Sequence, residues 1–327
     1  MADRLGVAVV GCGRISASHL QGIQEMQDAV KLVATVDVLP ERAQAAAEKH
    51  GAQRWYGSAA EAFRDPEVDA AILTLPHYLH HPVTIEALRA GKHVLVEKLM
   101  ANTYRQAMDM VQEAEKRALT LMVGQSRRYF DAVQESKRRI REIGTVVNSI
   151  TVWNTFLEKP ATEWWTKAAR AGGLLIALNG SHAVDYVSWI MEKQPVTVYA
   201  RTLHVNPSWE GEDEATMVLD YGSETATIHL SFNTRHGMHT RVLVGTKGTI
   251  TLNGEQELTV NGETVVEGEQ RPSAFGVQVK ELADSIREGR EPQSSGRMVA
   301  PTIAVLDAAR LSAVTGEPVS VSDMMAR

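Results

Sequence analysis

Cysteine is almost absent from this 327-residue chain: Cys12 stands alone, so no intramolecular disulfide can form and no cysteine cage can hold a metal. That usage suits a reducing compartment, and the protein is expected to be cytoplasmic. A dense Lys/Arg block is also missing, and with a formal net charge of -6 a surface that tracks nucleic-acid phosphates is not expected. Long hydrophobic runs are missing as well. The first apolar run, Val7 to Val10, is too brief for a signal peptide and leads straight into glycines, and no later stretch is read as approaching a membrane span. Neither nucleic acid nor membrane is therefore an expected partner. What is present is 44% hydrophobic content, enough for a substantial core, in a chain long enough for two domains. Neither an internal repeat nor a low-complexity segment is found.

The first part alternates short apolar runs with helical segments, the order that builds a parallel sheet with crossover helices. Strands are expected at Val7–Val10, Leu32–Asp37, Ala70–Leu73, His93–Glu97 and Thr120–Val123, with helices after Ile15, Pro40, His80 and Thr103. Pro82 is placed in the first turn of its helix and Gly91 just past the end. From about Gly144 the runs become β-rich: Val146–Thr155, Val196–His204, Ala215–Asp220, Thr225–Phe232, Thr240–Val244 and Thr249–Leu252. Asp220-Tyr221-Gly222-Ser223 and Asn253-Gly254 read as hairpin connections. Helices are expected at Phe130–Glu142, Ser181–Met191, Phe275–Glu288 and Ala300–Ala313. The fold expected is α/β, with an N-terminal Rossmann parallel sheet over residues 1–123 and a C-terminal α+β domain on a largely antiparallel open sheet over residues 124–327.

Gly11-Cys12-Gly13-Arg14-Ile15-Ser16 follows the first strand and opens the first helix, the context a dinucleotide fingerprint requires. The first glycine permits a tight turn, and the second lets the backbone approach a pyrophosphate met by N–H groups at the helix N-terminus. Ser16 stands where Gly or Ala is usual, and its hydroxyl is a candidate phosphate contact. Asp37 ends the second strand at about the ~20-residue separation expected of a ribose-binding carboxylate. An arbitrary strand-end Asp would sooner cap the helix after Pro40; the glycines ahead of it reverse that preference. A carboxylate here repels a 2′-phosphate and Val38 and Leu39 offer no cation, although Arg42 is near, so NAD is expected over NADP. Cys12 reads as a small turn residue rather than a reactive thiol.

Further motifs follow in a specific order: Pro76 and His80 in the next strand-to-helix loop, Ala87-Leu88 before Gly91-Lys92-His93-Val94, then Glu97-Lys98, Arg128-Tyr129, Ile143-Gly144, and Gly172-Gly173 leading to Gly180, His182 and Asp185. In this order the chain resembles, over nearly its whole length, the glucose-fructose oxidoreductase, inositol dehydrogenase and MocA (Gfo/Idh/MocA) family. The resemblance implies an NAD-dependent dehydrogenase or reductase acting on a hydroxyl or ketone of a sugar, sugar derivative or cyclitol. It places Lys98 beside nicotinamide and substrate, with Glu97 as its structural neighbour and Gly11, Gly13, Arg14, Ile15, Asp37, Pro76 and His80 around the cofactor. His182 is implied as the second proton-transfer residue, with Asp185 three residues on along one helix face to orient it. A buried lysine near a cationic nicotinamide has its pKa lowered enough to share the hydroxyl proton.

Two departures stand out. Leu99 occupies a position where the family often has proline, which bears on how firmly that loop is held, and Leu178 stands where many members place an aspartate, with Asn179 beside it. Trp153, Trp164 and Trp165, with Asn154 and Glu163, fall where relatives place substrate-contacting loops, but core or interface packing is an equal reading. Arg128 and Tyr129 are read as structural or cofactor-proximal. His77, His80 and His81 lack an accompanying carboxylate or cysteine pattern, so no metal is expected. Two rival functions stay open: an NAD-dependent glycosidase working by transient oxidation, and a nucleotide-sensing member that has lost catalysis. Relatives commonly associate through the open sheet, which implies a homodimer or homotetramer.

Overall fold

The computed structural model describes residues 4–326. They form two compact units. The first runs to Ala101 and takes in Gln106–Tyr129 and Arg271–Val299. Its elements are β1 (Leu5–Val10), α1 (Ser16–Glu25), β2 (Val30–Val36), α2 (Pro40–His50), β3 (Arg54–Tyr56), α3 (Ala59–Arg64), β4 (Ala70–Leu73), α4 (His77–Arg89), β5 (His93–Glu97), α5 (Tyr104–Lys116) and β6 (Leu121–Gly124). The six strands pair in the order β3-β2-β1-β4-β5-β6, every pairing parallel. Because helices cover both faces of such a sheet, its central strands do not alternate. Val7, Ala8, Val9, Ile72, Leu73, Val94, Leu95 and Val96 are all fully buried. Each large aliphatic side chain so buried contributes roughly 1.5–3 kcal/mol.

Five of these strands are legible in the sequence; β3 is not. It is three residues long at the sheet edge, with Trp55 exposed, and carries no apolar run. Pro82 requires a correction. Helix α4 begins at His77, after Pro76 at its N-cap, so Pro82 lies inside the helix rather than in its first turn. Gly91, just beyond the C-cap Ala90, adopts a φ of 79°, as a residue past a helix end does.

The second unit comprises Asn102–Arg105, Phe130–Gln270 and the chain from Ala300 onward. It contains α6 (Asp131–Arg139), β7 (Val146–Phe156), α7 (Ala168–Ala171), α8 (Ser181–Met191), β8 (Thr197–Leu203), β9 (Glu214–Asp220), β10 (Thr225–Ser231), β11 (Asn233–Gly245), β12 (Gly248–Asn253), β13 (Glu257–Val260) and β14 (Glu263–Val266). The chain then forms α9 (Ala274–Glu288) within the first unit, followed by α10 (Gly296–Thr315), β15 (Val319–Ser320) and α11 (Val321–Met325). The nine strands of the second sheet pair in the order β14-β13-β12-β11-β7-β10-β9-β8-β15, antiparallel except between β10 and β7. Residues 221–224 connect β9 to β10 and 254–256 connect β12 to β13, both as antiparallel hairpins.

The units are thus not contiguous in sequence. Helix α9 belongs to the first unit because it packs on α1 at backbone distance: a Cβ on Gly22 would lie 2.8 Å from the Gly276 nitrogen. Ser273 caps α9 and also donates to Glu25 on α1 at 2.6 Å. Helix α10 corrects a second expectation. Its 20 residues are long and apolar enough to cross a membrane by length and composition alone, yet 56% of that stretch is buried inside the protein, as in a core helix.

Candidate active site

The turn after β1 is built for a close approach. Gly11 has a φ of 97° and its missing Cβ would lie 2.7 Å from the Thr74 carbonyl oxygen, so both conformation and space demand glycine. A Cβ on Gly13, in contrast, would meet nothing within 4 Å. That open cradle, ahead of exposed Arg14 and Ile15 and the start of α1, fits the pyrophosphate of a dinucleotide. The Ser16 hydroxyl is buried and donates to the Gly13 carbonyl at 2.6 Å, so it braces the turn instead of facing a phosphate. Asp37 ties the turn to β2: one oxygen accepts from the Cys12 N–H at 2.8 Å, the other from the Leu39 N–H at 3.0 Å. Each oxygen keeps a second lone pair for a ribose hydroxyl, so binding and bracing are compatible. Burial pushes the Cys12 thiol up to about 11, with the Asp37 charge adding to the effect. Thiolate chemistry at neutral pH is thereby disfavoured.

The loop after β5 carries Lys98. Loss of hydration on burial lowers its pKa to about 8; Arg14 and Arg127 push the same way and Glu97 opposes them. Glu97 is buried, and one carboxylate oxygen accepts from the Lys98 amide N–H at 3.1 Å. The Lys98–Leu99 peptide bond is cis, and Leu99 is buried. His80 holds this loop without proline: its Nδ1 lies 2.6 Å from the Leu99 carbonyl and its Nε2 2.8 Å from that of Leu75. Burial lowers the His80 pKa, and a neutral ring donates to only one of those carbonyls. Pro76, at the α4 N-cap, is half-buried beside this group. His77 packs 5.5 Å from the His80 ring, while His81 faces Asp109 at 3.5 Å, so the three histidines do not converge. Arg128 donates to the Gln293 carbonyl, and the Tyr129 hydroxyl pairs with that of Ser294.

In the second unit, a π-helical turn, Ile176–Gly180, runs directly into α8. Leu178 in that turn is buried and Asn179 is half-buried. His182 and Asp185 follow on α8, three residues apart on one face and both buried. Trp153 on β7 lies 6.1 Å from the His182 ring and stacks at 4.1 Å on His239 of β11. Behind them Arg241, fully buried, donates to His239 Nε2 at 2.6 Å and to Glu255 at 2.9 Å. Asn154, the next residue on β7, projects from the opposite face and pairs in register with Ser231 and Met238, which takes it away from the Trp153–His182 group. Trp165 meets Trp164 edge-on at 6.0 Å in a short 3-10 turn, Glu163–Thr166.

His19, His239, Arg241 and Glu255 escaped the sequence reading. For His239 and Arg241 a signal existed: they share the inward-facing phase of β11 with Leu243, where charged residues are unexpected. His19, a single histidine in an amphipathic helix, carried none.

Comparison with known proteins agrees with this architecture. Residues 5–125 match the model of the oxidoreductase family, NAD-binding Rossmann fold, and residues 137–321 that of the same family's C-terminal alpha/beta domain. The D-apiose dehydrogenase of Paraburkholderia graminis is 27% identical, over 98% of this chain and 90% of that protein. The scyllo-inositol 2-dehydrogenase (NAD(+)) of Bacillus subtilis is 25% identical, over 89% of each. The WlbA dehydrogenase from Bordetella pertussis, solved with NADH and UDP-GlcNAcA, superposes with a TM-score of 0.87 at 25% identity, over 98% of both chains. With both family models matched along most of its length, this chain belongs to the Gfo/Idh/MocA family of NAD-binding oxidoreductases.

Proposed function

We propose that the protein is an NAD-dependent dehydrogenase or reductase of a sugar, sugar derivative or cyclitol, with Lys98 and His182 in proton transfer. The observation that carries this reading is the state of Lys98: at the C-terminal end of a parallel strand, where ligands of such sheets bind, it has a pKa lowered to about 8. NAD, when bound, supplies the hydride acceptor. As the substrate C–H bond breaks, the neutral Lys98 amine takes the hydroxyl proton, and the ammonium returns it in the reverse direction. His182 hydrogen-bonds the reacting oxygen, with Asp185, Asn179, Trp153 and Trp165 as candidate neighbours of the sugar. Gly11, Gly13, Arg14, Ile15, Asp37, Pro76, His80 and Glu97 hold or brace the cofactor side. The Asp37 carboxylate favours NAD over NADP.

A homodimer or homotetramer is proposed on the open face of the nine-stranded sheet. There Tyr199, Val218, Thr227, Ile150 and Val242 lie in one cross-strand row, and Tyr199, Val218 and Ile150 are exposed. The decisive experiment is a panel of sugars, cyclitols and sugar acids with NAD and NADP, read by absorbance of the reduced cofactor. Turnover with NAD supports the proposal. Release of free sugar from a glycoside with no accumulated NADH would replace it with the redox-neutral glycosidase reading, and no turnover at all would favour a sensor.

A further inference from the structure

Behind Lys98 lies a second, fully enclosed pair. His19, on the second turn of α1, is completely buried, and its Nε2 lies 2.8 Å from a carboxylate oxygen of Glu97. Space for that carboxylate is made by Gly124, paired with Glu97 across β5 and β6: a Cβ there would lie 2.9 Å from Glu97 Oε1. His19 is held from its other side by Phe275 of α9, edge-on at 5.0 Å. Its Nδ1 is buried and has no hydrogen-bond partner among the described residues. At Nε2 the ring donates and the carboxylate oxygen accepts.

We propose that His19 is a positioning residue of the active site: its hydrogen bond fixes the Glu97 carboxylate as the counter-charge of Lys98 and thereby sets how readily Lys98 gives up its proton. The geometry leaves Glu97 with one oxygen on His19 and the other on the Lys98 amide, so the carboxylate is clamped between the helix that follows the glycine turn and the loop that carries the lysine. Charged and titratable groups act on Lys98 from at least four elements: Glu97 from its own strand, Arg14 from the glycine turn, Arg127 from the turn after β6, and His80 from α4. Of these, Glu97 alone is negative. Without the His19 donor its buried charge is left under-supported, and an under-supported counter-charge makes the Lys98 ammonium harder to maintain. The inference rests on the dehydrogenase reading for its significance, not for its test.

The test is an NMR titration of the full chain, free and with NAD, carrying isotope-labelled lysine, with the Lys98 signal assigned by its loss in Lys98→Gln. The parent midpoint is expected near 8. In His19→Leu, which keeps the apolar packing against Phe275, the midpoint should fall by about one pH unit. Glu97→Gln, which keeps shape but removes charge, should lower it at least as far, and His19→Gln, whose amide still donates, should stay close to the parent. A folded His19→Leu with an unchanged or raised midpoint overturns the proposal, as does Glu97→Gln with no shift, which decides the matter even if His19→Leu does not fold. An equal shift in His19→Gln and His19→Leu also overturns it, because the hydrogen bond would then be irrelevant. As the signal belongs to Lys98 itself and needs no substrate, this outcome is independent of the turnover measurements on Lys98 and His182 variants.

Discussion

Lysine makes a poor base at neutral pH unless its surroundings intervene, and here they do so by a calculable amount. At about pH 7.5 an ordinary lysine is roughly one part in a thousand neutral, whereas a group with a pKa of about 8 is about a quarter neutral, a gain of roughly 200-fold in competent base. The direction is fixed by the depressed pKa: oxidation needs the neutral amine and reduction needs the ammonium. For oxidation, kcat/KM measured by NADH appearance should therefore climb about tenfold per pH unit below about 7.5 and level off above about 8.5. Reduction should show the mirror image, declining above about 8. Lys98→Ala should lower oxidation by about 10²- to 10⁴-fold and erase the rising limb. Retention of parental activity in a folded Lys98→Ala, or the same limb in its residual activity, would refute the assignment of Lys98 as the base.

Other outcomes separate cofactor, substrate and scaffold. His182→Ala should reduce turnover, less than Lys98→Ala does, with NAD dissociation constants near the parent's by fluorescence titration; loss of NAD binding instead would count against its substrate role. Gly13→Ala should fold as the parent does, since its methyl meets no protein atom, but should weaken NAD binding; Gly11→Ala should lower the melting temperature, because positive φ alone costs an alanine about 1–2 kcal/mol. Asp37→Ser should narrow the preference for NADH over NADPH in parallel titrations, and a parent that prefers NADPH would sink the assignment. Arg241→Met should cost about 1–3 kcal/mol in chemical denaturation by removing the hydrogen bonds that the buried guanidinium gives to His239, Glu255 and the Gly254 carbonyl, and an unchanged stability would show them to be dispensable.

Strand after strand of the first unit was legible because apolar runs between glycine and charged turns have few other uses, and Ser181–Met191 was read to the residue. Elements without that contrast were lost. β13 and β14 are four residues each and rich in Glu and Thr, and β15 is two residues paired only to β8. The membership of α9 was invisible for a different reason: its docking on α1 depends on Gly22 lying so close to Gly276 that a Cβ would fall 2.8 Å from the Gly276 nitrogen, a long-range coincidence that no local pattern encodes. The same holds at the site. Lys98 and Asp37 sit at strand ends that periodicity identifies, but His19 acquires its meaning only from Glu97, 78 residues away.

The two departures from the family pattern also acquire physical content from their surroundings. Leu99 is buried and its carbonyl lies 2.6 Å from His80 Nδ1, so a buried imidazole packs against the loop where relatives often have a proline ring. Leu178 belongs to an apolar π-turn whose neighbours Ile176 and Ala177 are themselves buried, and a carboxylate placed there would pay for desolvation. Burial lowers the proton affinity of Lys98, and the charges of Arg127 and Arg14 push the same way against that of Glu97. The proposed base is partly neutral near physiological pH without a carboxylate at position 178, so the leucine removes a familiar proton acceptor without arguing against the chemistry.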